Sequence, residues 1–483
     1  LHRPQHIGGT ERVTRTLLTV LTPSYRQTLV YPGPTVGKWC DFELQSSDGH
    51  RELMFNQRWI RPKTRISGHG ADLTCSKGER ALARVIRGSE TRIVHFHHML
   101  HWDSLLLPAL ARNLGCRVVI SVHDFWFNCP QYNQMEFATG WPCGRSYAHA
   151  DARCQACLSK HSDMPLQTGA FARARYGLIR DMLEAADALV VPSQFIKHKV
   201  LDAYPGISAD AVHLVPHGVK RPGELSMPSR GPTKIVAFLG GDQMAKGAGL
   251  VLGMARLLKD APVAFRIFGR SVGYGQLEMP GNVSLHGYYH PEQIGDCLQE
   301  VDIVLIPSCY EESFSLVASE CWAHGVPVLS STRGALGERV RPGLNGWLVP
   351  DLEPATWARR LVDILRSNEL QRCRQNLQDQ PVTTVEQSAD AIHRIYQRLL
   401  ALPRLATLET DTDRRLKRFR GKLDALRVSR GTRRAPTIDQ PCLGIIRDNW
   451  DPASYRVRYP LEDLRRSGAI NSCSIQVVKD DGM

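Results

Sequence analysis

Long apolar runs are missing from this sequence of 483 residues. No stretch of 18 or more residues is apolar throughout and free of charge, so we expect no membrane-spanning helix. The glycine pattern Gly-x-Gly-x-x-Gly is also missing, which argues against a dinucleotide-dependent oxidoreductase. Aromatic residues make up 7% of the chain, but hydrophobic residues make up 42%, which is ordinary for a globular protein and enough for more than one core.

Positive charge exceeds negative charge, and the excess is uneven. The formal net charge is +13, and residues 411–434 carry ten Lys or Arg against three Asp. This segment could be a nucleic-acid patch, a membrane-surface helix or a solvated linker. It lacks the interleaved aromatic residues on which bases stack, so we expect no nucleic-acid partner. A linker, or peripheral contact with the inner face of a membrane, is the preferred interpretation.

The 13 cysteines are an odd number, and no secretory signal pattern opens the sequence. We therefore expect a cytoplasmic protein with reduced thiols. One polar segment is different, because it holds a Cys-x-x-Cys pair and two further cysteines. Four thiolates there could hold a structural zinc ion; unrelated thiols or a local disulfide are the alternatives. The residues concerned are Cys129, Cys143, Cys154 and Cys157.

Short β-rich runs alternate with helix-like segments along most of the chain, a pattern typical of parallel sheets built from strand-helix-strand units. Strands are predicted over 93–96, 117–122, 188–191 and 213–215, with a helix over 102–113.

A stretch rich in Gly, Pro and Ser then interrupts the pattern over 217–233 and predicts a linker. After it, strands are predicted over 234–239, 263–268, 303–306 and 326–329, and helices over 249–258 and 385–402. In parallel sheets, ligands bind beyond the carboxyl ends of the strands, so functional residues are expected in the loops that follow them.

The strongest constellation is the segment from Glu312 to Glu320, which follows a predicted strand and opens a helix. The two carboxylates lie about two helical turns apart, so one elongated ligand could meet both. Amide N–H groups at the helix start, over residues 313–316, would stabilise a phosphate between them. A nucleotide sugar has this layout; two solvated glutamates on a surface helix are the alternative.

With these residues in view, the sequence resembles the family-4 glycosyltransferases of the GT-B fold, from about residue 6 to residue 400. The resemblance depends on the order and spacing of short motifs. They are Gly8-Gly9-Thr10-Glu11-Arg12, Ile93-Val94-His95-Phe96-His97-His98, Val122-His123-Asp124, residues 187–193, Val215-Pro216-His217-Gly218-Val219, Lys246-Gly247, residues 312–328 and residues 333–349.

The resemblance implies an α/β fold with two Rossmann-like parallel-sheet domains facing across a cleft, and a retaining enzyme that uses a nucleoside-diphosphate sugar. Gly8 and Gly9 would let backbone approach the donor diphosphate. Lys246 would neutralise a phosphate, as would the amides of Ser313, Phe314, Ser315 and Leu316. Glu320 would hold the ribose hydroxyls, and Glu312 the hydroxyls of the transferred sugar.

On the acceptor side, the resemblance places His123 at the reacting centre, with His97 and Asp124 near the acceptor. A histidine can hydrogen-bond a hydroxyl there, although a structural histidine satisfied by Asp124 is the alternative. The other histidines of the 95–101 segment are expected to be structural. A zinc site in the cysteine segment would shape the acceptor pocket.

The sequence departs from the family in two places. The family usually has an Arg shortly after the first strand of the second domain, but here only Lys246 supplies that charge, and Arg270 is the candidate substitute. The strand that should precede Gly8 is almost missing, which predicts that part of it lies before Leu1.

The predicted organisation begins with an acceptor-binding domain over 1–217, a linker over 218–232 and a donor-binding domain over 233–383. A returning helix over 384–403 and a basic linker over 404–440 follow. Residues 441–483 have two strand-like runs and resemble the start of a further, truncated GT-B domain.

We therefore expect a hexosyltransferase in polysaccharide or glycoconjugate synthesis, with a glycan or lipid-linked acceptor and no cofactor required for catalysis. The alternatives are a non-catalytic sugar-nucleotide-binding or scaffold domain of a longer protein, or an epimerase of the same fold.

Overall fold

The structure is a computed structural model. It describes residues 8–33, 42–47, 50–56, 73, 76–99, 102, 104–129, 132–136, 142–143, 154, 156–157, 168–241, 243–271, 273, 278–407, 442–447 and 473–478. Within these ranges, no helix combines the length and the apolar character needed to cross a membrane. The strand expected before Gly8, residue His101 and the basic segment 411–434 lie outside the described residues.

The first half of the chain contains a small mixed sheet of order β1-β3-β2 and a parallel sheet of order β4-β5-β6-β7. The sequence made no prediction for the small sheet. The strands are β1 (Thr28–Gly33), β2 (Phe42–Ser47), β3 (His50–Asn56), β4 (Ile93–Phe96), β5 (Arg117–Ser121), β6 (Ala188–Val191) and β7 (Val212–Leu214). The helices are α1 (Gly9–Leu21), α2 (Ser76–Gly88), α3 (Leu107–Asn113), α4 (Thr168–Glu184) and α5 (Gln194–Ala203).

The second half forms a six-stranded parallel sheet of order β10-β9-β8-β11-β12-β13. Its strands are β8 (Lys234–Phe238), β9 (Val263–Phe268), β10 (Val283–Gly287), β11 (Ile303–Ile306), β12 (Val328–Ser331) and β13 (Gly346–Val349). Its helices are α6 (Ala248–Leu257), α7 (Ile294–Leu298), α8 (Leu316–Ala323), α9 (Leu336–Arg339), α10 (Pro354–Arg366), α11 (Glu369–Asp379) and α12 (Val385–Ala401). The prediction of two parallel-sheet units is confirmed.

The order of strands in the second sheet decides where a ligand can bind. From β8 the chain runs outward through β9 to β10, and it then returns to β11 on the other side of β8. The loops after β8 and β11 therefore diverge at a topological switch point, which leaves a crevice at the carboxyl edge of the sheet. Lys246 follows β8 and Glu312 follows β11, so topology alone brings these two distant residues to one place.

Helix α12 returns to the first half of the chain and packs against α1. Its residues Ala389, Ile392 and Ile395 are buried in one cluster with Val13 and Leu17 of α1. This apolar contact places the start of α1, at Gly9, beside the second half of the molecule.

Two predicted starts, of one helix and one strand, are wrong by two or more residues, and proline explains both. Helix α3 begins at Leu107 with Pro108 in its first turn, not at residue 102. Proline has no N–H, and the first turn is where a helix tolerates that loss. Strand β12 likewise begins at Val328, after Pro327, because proline cannot donate to a strand ladder.

The described part of the tail consists of two strands that pair in parallel, β14 (Cys442–Arg447) and β15 (Cys473–Val478). Both strand-like runs of the sequence are therefore strands. The further domain that they were predicted to open stays a prediction.

Candidate active site

Glu312 lies in the loop between β11 and α8 and is buried, with 5% of its surface exposed. Its Oε1 atom accepts hydrogen bonds from Lys246 Nζ at 2.7 Å and from Ser308 Oγ at 2.6 Å. Gly334 fixes the backbone here, because a Cβ on Gly334 would lie 2.3 Å from the Glu312 carbonyl oxygen. The carboxylate is thus held in place from both the side chain and the backbone.

Lys246 reaches Glu312 from the loop after β8, where a short 3₁₀ helix over Met244–Lys246 ends at Gly247. Gly247 has φ +92° and packs on Pro307, where a Cβ would lie 2.2 Å from the carbonyl oxygen. The ammonium lies 4.8 Å from the centre of the Tyr310 ring. Burial opposes the charge of Lys246, but Glu312 and Tyr310 raise its pKa above the ordinary lysine value, so it stays a cation.

Residues 313–316 form the turn that opens α8, and they touch the first half of the chain. Ser193 Oγ donates to the Ser313 carbonyl at 2.7 Å. The buried Phe314 ring meets His217 edge to face, with 4.9 Å between ring centres. Ser315 has the left-handed backbone conformation, φ +68°, and it gives the helix no side-chain cap. The predicted phosphate-binding turn therefore lies at the junction of the two halves.

Glu320, on α8, is 4% exposed and accepts a hydrogen bond from Arg12 of α1. Burial raises the pKa of this carboxyl above its ordinary value, and Arg12 offsets part of the shift. The two predicted glutamates are thus both buried, and each is paired with a cation. Neither carboxylate faces bulk water.

Gly8 and Gly9 open α1, which also starts without a side-chain cap. A Cβ on Gly9 would lie 3.3 Å from Cδ1 of Leu316, the first residue of α8. Two helix N-termini therefore meet, and the first-turn amides of a helix carry positive potential. In α1 the buried carboxylate of Glu11 lies against Gly8 and offsets part of this potential. Such a place favours an anionic ligand.

His123 follows β5 and is the centre of a stack of histidines. Its Nε2 lies 3.3 Å from His97 Nδ1, and its Nδ1 lies 3.4 Å from His217 Nε2. The ring of His95 stacks on that of His97 at 4.0 Å, as expected for residues two apart on one face of a strand. We call His95, His97, His123 and His217 the histidine column.

The histidine column is neutral at neutral pH. Burial, with a smaller contribution from neighbouring histidines, lowers the pKa of His95 and of His123 to about 3. The same causes lower the pKa values of His97 and His217 well below 6.5. An imidazole that gains no counter-ion when it leaves water loses its proton instead.

Asp124 does not hold His123. Its Oδ1 accepts from the Trp126 amide at 2.8 Å and so caps the 3₁₀ helix Phe125–Phe127, and its Oδ2 lies 3.2 Å from His98 Nε2. His97, His98, His123 and Asp124 line a common small cavity beyond the carboxyl ends of β4 and β5. The predicted acceptor residues are therefore close together.

Arg270 is exposed and follows β9. A Cβ on Gly241, in the loop after β8, would lie 2.5 Å from the Arg270 carbonyl oxygen. Arg270 thus lies at the same edge of the sheet as Lys246, and its role toward a phosphate stays a prediction.

The cysteine segment falls largely outside the described residues. Within the described ones, which include Cys129, Cys143, Cys154 and Cys157, no three Cys, His, Asp or Glu side chains are grouped as metal ligands. The zinc site stays a prediction without structural support.

Sequence reasoning gave no role to several residues of the site. Arg12 and His217 stand in motifs that had been recognised, but nothing in their spacing shows that they contact Glu320 and His123. Arg339, which donates to the Phe314 and Ser315 carbonyls, is a further omission. It stands among other charged residues, Arg333, Glu338 and Arg341, so the sequence gives no signal that would have singled it out.

Two families match the chain. Residues 7–221 match the Glycosyltransferase Family 4, and residues 233–367 match the family described as Glycosyl transferases group 1.

Among curated relatives, D-inositol 3-phosphate glycosyltransferases are similar to part of the chain. The protein of Mycolicibacterium vanbaalenii is 29% identical over 251 residues, which cover 46% of this chain and 55% of the relative. That of Corynebacterium jeikeium is 29% identical over 252 residues, covering 46% and 59%. The chain thus spans about half the length of the curated relatives it matches.

Solved structures show similarity over a longer range. The sucrose-phosphate synthase of Thermosynechococcus elongatus has a TM-score of 0.58 at 17% identity, covering 82% of this chain and 94% of that one. Anabaena Alr3699/HepE, in complex with UDP and glucose, has a TM-score of 0.53 at 14% identity, covering 83% and 98%. At such identities the likeness shows the fold, which is GT-B. Together with the two matched families, it shows that this chain belongs to the family-4 glycosyltransferases.

Proposed function

We propose that this chain transfers a sugar, with retention, from a nucleoside-diphosphate donor to an acceptor hydroxyl in polysaccharide or glycoconjugate synthesis. One observation carries the proposal: two uncapped helix N-termini meet at Gly9 and Leu316, next to two buried carboxylates paired with cations. The UDP and glucose bound to the Anabaena protein of this fold support a nucleotide-sugar donor.

The donor's phosphates would lie on the helix N-termini, within reach of Lys246, with Arg270 as a second cation. An ammonium has three N–H donors, so Lys246 can keep its bond to Glu312 and still donate to a phosphate. These groups, with no metal required, would stabilise the negative charge that grows on the leaving diphosphate. Glu320 would accept from the ribose hydroxyls, with Arg12 displaced from its carboxylate.

Glu312 would orient the transferred sugar. Lys246 and Ser308 both bond to its Oε1, so Oε2 would accept from a sugar hydroxyl. His123, being neutral, would act as a hydrogen-bond partner to a sugar or acceptor hydroxyl, because burial holds its pKa near 3 and makes it a poor cation at neutral pH.

The reaction breaks the bond between the anomeric carbon and the phosphate oxygen and forms one to the acceptor oxygen. Retention follows if the acceptor attacks on the face from which the diphosphate leaves. The acceptor's proton then passes to the departing phosphate oxygen, which gains negative charge as the bond breaks. The acceptor would approach from the cavity of His97 and Asp124.

The test is transfer from radiolabelled nucleotide sugars, after a thermal-shift panel of nucleoside diphosphates has chosen the base. We expect a shift with at least one of them, and loss of transfer in Glu312→Ala and His123→Ala. Glu292→Ala, at an exposed glutamate away from the site, is the matched control.

Binding without transfer to any acceptor would favour the scaffold alternative, and conversion of the donor sugar without an acceptor would favour an epimerase. No shift with any diphosphate would refute the proposal. Because the relatives act on inositol phosphate, phosphorylated polyols belong in the acceptor panel beside glycans and lipid-linked sugars.

We also propose a cytoplasmic location, with the segment 411–434 in contact with a membrane surface. Vesicle sedimentation with anionic lipids, with and without that segment, tests the contact. Metal analysis of the purified protein tests the structural zinc.

A further inference from the structure

Arg339 ends α9 and lies under the turn that opens α8. Its Nη1 donates to the carbonyl oxygens of Phe314 and, at 3.0 Å, Ser315. Its Nη2 donates to Ser319 Oγ at 2.6 Å. The guanidinium also lies 3.6 Å from the centre of the Phe314 ring, so it contacts both the backbone and the side chain of this turn.

The Arg339 guanidinium packs against carbonyl oxygens and an aromatic ring. Among the residues that the structure describes, no Asp or Glu oxygen lies within 4.0 Å of its guanidinium nitrogens. Burial lowers the pKa of Arg339 to about 9, which measures the cost of taking this charge out of water. Carbonyl oxygens and an aromatic ring stabilise the guanidinium charge instead, so the hydrogen bonds of Arg339 fix the conformation of the turn over residues 313–316.

The loop needs such support, because Ser315 has φ +68° and ψ +87°. A side chain at positive φ clashes with its own backbone, and this strain persists only where the surrounding structure holds the residue in place. Ser315 has no side-chain cap to help. Arg339 donates to the carbonyl before the Ser315 Cα atom, which is that of Phe314, and to the carbonyl after it, which is that of Ser315. It also donates to Ser319, one turn further along α8, so three hydrogen bonds support the strained conformation of Ser315.

The peptide geometry then fixes where the amides point. The described residues contain no cis peptide bond, and in a trans peptide the carbonyl and the next N–H point in opposite directions. With the carbonyls of Phe314 and Ser315 turned toward Arg339, the N–H groups of Ser315 and Leu316 turn away from it. Neither amide donates to an acceptor within the described part of the chain.

We propose that Arg339 is a positioning residue: it holds the turn so that the Ser315 and Leu316 amides face the donor's phosphates. The phosphate part of this inference rests on the proposed function. Arg339 itself would not touch the ligand. Its contacts with Phe314 also hold that ring against His217, so they fix the position of the turn over residues 313–316 relative to the histidine column.

The test compares Arg339→Met, Arg339→Lys and Ser315→Gly with the double variant that combines Arg339→Met and Ser315→Gly. The readouts are thermal unfolding and affinity for UDP, GDP and ADP by calorimetry. We expect Arg339→Met to weaken binding of the preferred diphosphate about tenfold, because the Ser315 and Leu316 amides would no longer be held in the orientation that faces the phosphates. Arg339→Lys should be nearly as weak, because one ammonium cannot replace the planar fork.

The decisive result is the double variant. Glycine adopts positive φ without strain, so Ser315→Gly should restore several-fold of the lost affinity and part of the lost melting temperature. No rescue of affinity would overturn the inference and would favour direct contact between Arg339 and phosphate. Wild-type affinity in Arg339→Met would also overturn it. Arg341→Met, at an exposed arginine two residues on, is the control and should change neither readout.

If the wild-type protein binds none of the three diphosphates, the donor assignment fails. The unfolding data then decide alone whether Arg339 holds the turn: rescue of the melting temperature by Ser315→Gly supports it, and strict additivity of the two changes refutes it.

Discussion

The two sides of the candidate site bury ionisable groups in opposite ways. On the acceptor side, four histidines stack on one another, and none of them forms an ion pair with a carboxylate of the described residues, so each loses its charge. On the donor side, the buried Glu312 is paired with Lys246, which keeps 33% of its side chain exposed, and the ammonium keeps its charge. Burial alone therefore does not decide the charge of a group; the partner that is buried with it does.

This difference suits the proposed reaction. Negative charge develops on the leaving diphosphate, so the donor side needs fixed positive charge there. The sugar and the acceptor are neutral polyols, and neutral imidazoles can donate to or accept from their hydroxyls. Changing the charged partner on either side therefore tests this difference.

The largest effect is expected from Lys246→Met. We expect transfer to fall about 10²–10³-fold, as for the loss of other charge-stabilising groups, and unfolding free energy to fall by about 3–5 kcal/mol because Glu312 stays buried without its cation. Turnover and urea unfolding measure the two effects.

Adding Glu312→Gln to Lys246→Met should recover much of the stability but none of the activity. Lys259→Met, at an exposed lysine, is the control. Equal stability of Lys246→Met and wild type would show that the pair is not buried as a unit.

The second effect is on pH dependence. The histidines of the column have pKa values lower in the folded than in the unfolded protein, so the unfolded state binds more protons between about pH 3 and 6.5. Stability must therefore fall as pH falls below 6.5, by up to about 1.4 kcal/mol per pH unit for each histidine. Urea unfolding at pH 7.5, 6.5 and 5.5 measures this slope.

Substituting one member of the column, His97→Gln, should reduce the slope, whereas His290→Gln, at an exposed histidine, should not. The raised pKa of Glu320 acts in the opposite direction, since a neutral buried carboxyl is favoured by acid. An unchanged slope in His97→Gln would contradict the neutral column.

A smaller effect is expected from Arg12→Met. Arg12 keeps 32% of its side chain exposed and Lys246 keeps 33%, so water screens the two bonds alike. The difference lies in the carboxyls: burial already raises the pKa of Glu320, so this carboxyl can take up a proton when Arg12 is lost. We expect a loss of about 1–3 kcal/mol, as for a hydrogen bond to a charged group. Arg15→Met is the matched control, because Glu52 keeps bonds to Tyr31 and His50 when Arg15 is lost. Equal losses of unfolding free energy in the two variants would show that the bond from Arg12 to Glu320 stabilises the protein no more than the bond from Arg15 to Glu52 does.

The smallest effect is expected from Ser308→Ala. It removes one of two hydrogen bonds to Glu312 Oε1 while Lys246 still compensates the charge. We expect a loss of about 1 kcal/mol and a few-fold lower transfer. A loss as large as that of Lys246→Met would mean that the hydroxyl, not the ammonium, holds Glu312.

The local sequence accounts for the alternation of buried strands and helices, because period and apolar content are local properties: Ile303–Ile306 has the pattern of a buried strand and is one. It also placed Glu312 and Lys246 in loops after strands. Which charges meet, by contrast, depends on the tertiary fold. Arg12 and Glu320 are 308 residues apart, and Arg339 reaches Ser315 across a sheet edge, so no spacing along the chain encodes these contacts. Local pattern sets the elements, but the order of strands and the packing of α12 on α1 choose the partners, and with them which buried groups keep their charge.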